Sequence, residues 1–154
     1  MRLALFEPDI PQNTGTILRL AACFGISVDI IEPCGFVFSD RRLKRAGMDY
    51  LDQVELTKHG SWAKFIENNA ARDTKARIVL LTTKADTPYT DFEFQPADIL
   101  LLGRESAGVP GDVHDAVDAR VAVPMSPEMR SLNIAVSAAM VLGEALRQTD
   151  GFPS

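Results

Sequence analysis

Four short runs constrain this chain more than any other feature: RLALF at residues 2–6, SVDII at 27–31, RIVLL at 77–81 and ILLL at 99–102. RLALF, RIVLL and ILLL are apolar at nearly every position instead of every second one, and SVDII at Val28, Ile30 and Ile31, so strands built from them are expected to be covered on both faces. Between these runs the apolar spacing turns helical. Across residues 13–24, Ile17, Leu18, Leu20, Ala21 and Phe24 follow a cap at Asn13 or Thr14, and Gly25 stops the helix. Residues 61–70 fit an amphipathic helix with Trp62, Phe65 and Ile66 inward, residues 53–56 a short strand, and Pro110 the first position of a helix reaching Val117. This alternation implies an α/β fold, a parallel sheet covered by helices on both faces. With 154 residues and no internal repeat or linker, the chain is expected to form a single domain over 1–154.

The last third has its own character. A short strand at 121–123 ends at Pro124, a polar loop follows, and from Ser131 the chain carries almost no charge until Glu144. Apolar on nearly every helical face, this segment is expected to be a buried central helix with Ser131 as its N-cap. Ala135, Ala139 and Gly143 recur every fourth residue and would form a ridge of small side chains that another backbone can approach.

Composition excludes several classes. No apolar run is long enough to cross a bilayer, and the opening MRLALFEPDIP lacks the basic region and long apolar stretch of a signal peptide, so a cytoplasmic protein without a membrane segment is expected. Cys23 and Cys34 form no CxxC pair and His59 and His114 stand far apart, which argues against a disulfide framework and against a metal site. Each cysteine reads as a small buried hydrophobe. A net charge of −5 disfavours wholesale nucleic-acid binding. Arg41, Arg42, Lys44 and Arg45 nevertheless fall within five positions, a local patch that can bind what the average repels, or simply a solvated helix face.

In parallel α/β sheets, ligands gather beyond the carboxyl ends of the strands. Those ends carry residues 7–13, Thr82-Thr83-Lys84, Gly103-Arg104-Glu105 and residues 124–133. GRESAG has the GxxxxG spacing of a phosphate loop, but Val109-Pro110 stand where a lysine and a hydroxyl residue are required, and no strand leads into GxGxxG. Gly103 and Gly108 either let the backbone pass close to a ligand or make a tight turn. Arg19 lies inside the apolar run ILRLAACF, where a charge needs a partner or a cleft: it is either solvated and salt-bridged or aimed at a phosphate or ribose.

Three segments resemble a known family in order and spacing. Asn13-Thr14-Gly15 with Ile17-Leu18-Arg19, then LLLGRESAGVP at 100–110, then VPM followed by RSLNIAVSAAMV from Val123 onward are similar to the three motifs of the SPOUT class of RNA methyltransferases, and the minimal SpoU (TrmH) type fits the length. FEPDIPQNTG, IIEPCGF and KRAG extend the resemblance over essentially the whole chain. It implies a C-terminal deep trefoil knot, S-adenosyl-L-methionine as methyl donor, transfer to the ribose 2′-hydroxyl of the wobble cytidine or uridine of tRNA, and a homodimer. Carried over by position, the cofactor would meet Leu81, Thr82, Thr83, Gly103, Glu105, Val123, Met125, Ser131 and Leu132. Asn13 and Arg19 of the first motif, Glu105 of the second, and Ser131 and Asn133 of the third would be catalytic, while Arg41, Arg42, Lys44 and Arg45 would hold the anticodon stem-loop. Arg104 departs from the pattern, since close relatives often carry a proline there. The alternatives are another SpoU-type tRNA or rRNA 2′-O-methyltransferase, a non-catalytic RNA-binding protein of this fold, and an unrelated nucleotide-dependent α/β enzyme.

Overall fold

The computed structural model describes residues 1–39, 41, 43 and 51–154. Among them run six strands, β1 (Arg2–Phe6), β2 (Ser27–Ile31), β3 (Leu56–His59), β4 (Ile78–Leu81), β5 (Ile99–Leu102) and β6 (Ala119–Val121). All neighbours pair in parallel, in the order β3-β2-β1-β5-β4-β6. Four helices accompany them: α1 (Pro11–Phe24), α2 (Trp62–Ala70), α3 (Gly111–Ala116) and α4 (Ile134–Gln148).

The unbroken apolar runs do what their composition demands. On one face Leu3, Leu5, Val28, Ile30, Leu100 and Leu102 pack under α1 and α4; on the other Ala4, Phe6, Ile31, Leu80, Ile99 and Leu101 pack with Phe65 of α2 and Val113 of α3. Asp29 is the exception inside β2. Fully buried, it accepts hydrogen bonds from Arg2 Nε (2.8 Å) and Nη2 (3.1 Å) and contacts His59 Nε2 (2.8 Å), whose Nδ1 lies 2.9 Å from Asn68 Nδ2. A buried carboxylate this well paired fastens the edge strand β3 to the centre of the sheet.

Several element boundaries differ from expectation, each for a local reason. β3 begins at Leu56, and residues 51–53 form a 3₁₀ turn; as an edge strand β3 exposes Thr57 and Lys58, so its apolar signal is weak. α1 starts at Pro11, a residue whose missing N–H costs nothing in a first turn, so Asn13 and Thr14 lie inside the helix; Gly25 closes it at φ 66°. β6 ends at Val121 because Ala122 leaves the sheet: its N–H donates to the Thr87 carbonyl and its carbonyl accepts from Tyr89, both at 2.9 Å. Pro110 caps α3 and is not its first residue.

Two readings of α4 need correction. Ser131 is not its N-cap; Asn133 is, accepting from the N–H groups of Ala135 (2.8 Å) and Val136 (3.4 Å). Nor is the helix buried all round. A step of four residues overshoots one 3.6-residue turn, so Ala135 faces the core while Ala139 is exposed and Gly143 half-buried; the supposed ridge rotates outward along the helix. Val136 and Met140 are exposed beside it, at 48% and 40%. The cysteines are also less buried than expected: Cys23 shares the outer stripe of α1 with Gln12, Thr16 and Arg19, and Cys34 is half-buried.

Candidate active site

β1 and β5 are neighbours, yet the chain leaves them in opposite directions, from β1 to β2 on one side and from β5 to β6, beyond β4, on the other. At such a switch point the loops diverge and open a crevice. A cleft of about 700 Å³ lies there, walled by the loops after β1, β4, β5 and β6. Asn13, Leu81, Thr82, Thr83, Gly103, Glu105, Val123, Met125, Ser131, Leu132 and Asn133, assigned from four separate stretches of sequence, all line it.

The loop after β5 is a tight turn. Arg104 N–H donates to the Gly108 carbonyl at 3.0 Å, Gly108 N–H returns to Arg104 at 2.8 Å, and Gly108 sits at φ 65°. A Cβ on Gly103 would stand 2.8 Å from Gly108 Cα and carbonyl carbon. Of the two roles open to these glycines, the backbone requires the turn. Glu105 then reaches the loop after β1, where its Oε2 accepts from Asp9 N–H at 3.0 Å. The Ser106 hydroxyl donates to Asp9 Oδ2.

Arg104, which departs from the family pattern expected from the sequence, sits beside the loop after β1. Its Nη1 lies 3.6 Å from Glu7 Oε2 and its Nε 3.5 Å from Asp9 Oδ2, too long for good hydrogen bonds but close enough to moderate the acid cluster. Within that cluster the two carboxyls diverge. The side-chain hydrogen bond with Glu105 holds Asp9 down to about 2 against its partial burial, with help from Ser106 and Arg104. Burial, and then Asp9, push Glu105 up, so Glu105 takes up a proton more readily than an ordinary glutamate.

The first and third motifs meet through one bond, Asn133 Nδ2 donating to Asn13 Oδ1 at 3.0 Å. Because Asn133 does the capping, Ser131 is left to face the cleft. Thr82 N–H is tied to the Val121 carbonyl at 3.0 Å, which closes the wall between β4 and β6. Leucine and valine walls with threonine, serine and backbone groups at the rim suit a flat heterocycle joined to a polar tail.

Other assigned residues lie elsewhere. Arg19 is exposed on the outer stripe of α1 and does not line the cleft. Arg41 is exposed, while Arg42, Lys44 and Arg45 lie outside the described residues. The cleft also includes Ile10, His114 and Ser137, which sequence reasoning missed. Ser137 was within reach, since it sits one helical turn beyond Asn133; nothing in the sequence distinguished His114 from a residue on a covering helix.

Comparison with known proteins identifies the family. A model of the SpoU rRNA Methylase family matches residues 1–143. A protein of Beijerinckia indica named tRNA (cytidine(34)-2′-O)-methyltransferase is 64% identical over 95% of this chain and 90% of its own. A structure solved for insights into the 2-OH methylation of C/U34 on tRNA superposes with a TM-score of 0.86 at 38% identity, over 96% of this chain and 94% of that one. The SpoU methyltransferase AviRb of Streptomyces viridochromogenes, in complex with its cofactor AdoMet, gives 0.82 at 25% identity, over 96% of this chain and 60% of that one. With the family model matching residues 1–143 and a relative 64% identical over 95% of this sequence, the chain belongs to the SpoU methylase family.

Proposed function

We propose that this chain is a tRNA methyltransferase that uses S-adenosyl-L-methionine to methylate the ribose 2′-hydroxyl of the wobble cytidine or uridine. The observation that carries this reading is the convergence of loops from four strands on one cleft with every cofactor-assigned residue in its wall. Its 700 Å³ is ample for a nucleoside-sized ligand. Residues 81–83, Gly103, Val123, Met125 and Leu132 would hold the donor, with Glu105 and Ser131 at its polar end. When bound, the donor supplies a methyl group already activated on sulfonium, so the protein's work is alignment and removal of the hydroxyl proton.

Arg19 stands outside the cleft wall, and its role is toward the RNA. A guanidinium stays charged at neutral pH and cannot accept the proton; it orients the ribose hydroxyl and an adjacent phosphate and favours the developing alkoxide. Asn13 and Asn133, bonded to each other, fix the two motifs that frame the reacting sugar. Arg41, Arg42, Lys44 and Arg45 grip the anticodon stem-loop.

Residues 1–154 act as one cytoplasmic catalytic domain, where the tRNA substrate is found. The C-terminal segment threads a deep trefoil knot, a reading supported by Ala122 lying bonded between Thr87 and Tyr89 and by Gln148 of α4 bonding the Phe92 carbonyl (3.0 Å) and Phe94 N–H (2.9 Å). The exposed apolar face of α4, Val136 and Met140, is the homodimer contact. Val136→Glu should then yield a monomer in sedimentation analysis; an unchanged dimer would rule that face out.

The deciding experiment incubates the protein with labelled S-adenosylmethionine and undermodified tRNA and maps the methylated nucleotide. Label at the 2′-oxygen of the wobble nucleotide is expected. RNA binding without transfer would identify a non-catalytic member of the fold, and label elsewhere another SpoU-type specificity.

A further inference from the structure

A second, smaller cleft of about 250 Å³ lies beyond the carboxyl end of β2, lined by Glu32, Pro33, Cys34, Phe36 and Phe38. It is below the 300–1,000 Å³ of ordinary ligand pockets, so it suits one flat ring system and not a whole nucleoside cofactor. Phe36 and Phe38 stand 6.2 Å apart with their planes only 31° from parallel. Phe38 packs on the main core, whereas Phe36, half-buried, is not part of either core cluster among the described residues; within the cleft its ring leans on Phe38. Val37 between them is 62% exposed. A half-buried aromatic ring that lines a surface cleft beside a second ring offers a stacking platform.

Charge and position say what it would stack. The Lys58 ammonium lies 4.7 Å from the Phe38 centroid, beside the cleft, where it can pair with a phosphate. Glu32 offers a carboxylate that can accept from an exocyclic amine, as carboxylates do from cytosine. Burial, with Glu32 adding to it, pushes the Cys34 thiol up to about 11, so the floor stays neutral. The loop is also fastened to the main site. Gly35 N–H donates to the Pro8 carbonyl at 2.9 Å, and the missing Gly35 side chain would fall 2.5 Å from Asp9 Cβ, while Asp9 itself holds Glu105 in the cleft wall.

We infer that the Phe36–Phe38 cleft, with Lys58 at its edge, is an RNA subsite that stacks an unpaired nucleobase next to the methylated nucleotide. This rests on the proposed function, because single-stranded loops are read by splaying bases onto aromatic rings.

The test measures affinity of the full chain for an anticodon stem-loop RNA and for two copies carrying an abasic site on either side of the target nucleotide. Phe36→Leu should weaken binding of the intact RNA by roughly five- to a hundred-and-fifty-fold, the range for loss of one base–aromatic stack. Phe36→Trp should restore it, with thermal midpoint and S-adenosylmethionine affinity unchanged in both variants. On one abasic RNA, wild type and Phe36→Leu should bind alike. Equal affinity of Phe36→Leu and wild type for the intact RNA would overturn the inference, as would a penalty that persists on both abasic copies. Methyl transfer to tRNA, measured in parallel, separates the two readings. Transfer with Phe36-independent binding removes the subsite alone; Phe36-dependent binding without transfer removes the function and leaves the subsite.

Discussion

Gly103→Ala offers a sharp test of how the cleft is built. The added methyl would lie 2.8 Å from two backbone atoms of Gly108, where ordinary contact begins near 3.4 Å. Neither atom belongs to a flexible side chain, so the turn must open by roughly 0.6 Å or the end of β5 must shift. Overpacking of this kind costs about 1–3 kcal/mol, which in a domain of this size lowers the melting temperature by roughly 3–10 °C. Because the same turn carries Glu105 and one wall of the cleft, S-adenosylmethionine affinity should fall at least about ten-fold, or 1.4 kcal/mol. Two controls isolate the cause. Gly60→Ala meets nothing within 4 Å and should behave as wild type. Gly108→Ala has equal space but φ 65°, so it should cost about 1 kcal/mol through backbone strain alone. Calorimetric titration and thermal unfolding read all three. Wild-type affinity and stability in Gly103→Ala would refute the turn as the cleft's organising element.

Other outcomes follow from the same geometry. Asn133→Ala removes the cap of α4 and the bridge to Asn13, and should destabilise the chain by about 1–2 kcal/mol in urea unfolding while reducing methyl transfer more than Asn13→Ala does; equal stability would show that the cap is dispensable. Asp9 is held below its ordinary 3.8, at about 2, so its stabilising contribution is present above pH 3.8 and disappears as the pH falls toward 2. Asp9→Asn should therefore be less stable than wild type at neutral pH, with the two curves converging in acid; parallel curves would contradict the assignment. The Cys34 thiol, raised to about 11, should resist alkylation at pH 8, whereas the exposed Cys23 reacts. Mass spectrometry finding two labels on the folded protein would show that Cys34 is accessible and ionised.

What could be read from the sequence was whatever burial on two sides writes into it. RLALF, SVDII and ILLL became β1, β2 and β5 at their expected limits, because strands covered on both faces leave no polar alternation to confuse the reading. Leu56–His59 was misplaced by three residues, since an edge strand with Thr57 and Lys58 in solvent carries half that signal. The cleft followed from strand ends and family motifs together, yet the cap of α4 did not: Ser131 and Asn133 are equally good caps by composition, and only the bonds that Asn133 Oδ1 accepts from the Ala135 and Val136 N–H groups distinguish them. Arg19, set among seven apolar neighbours in ILRLAACF, read either as a solvated, salt-bridged arginine or as a guanidinium aimed at a phosphate or ribose; the helical repeat carries it to the exposed outer stripe with Gln12 and Thr16.

The walls of the cleft come from residues 10–13, 80–84, 102–111 and 121–137, so everything through residue 137 must leave the ribosome before the last wall exists. No nascent fragment ending before that stretch can hold the donor molecule. Occupancy thus reports that the chain has been made and folded through residue 137, and cellular S-adenosylmethionine, by mass action on that folded form alone, protects it while leaving shorter fragments to proteolysis.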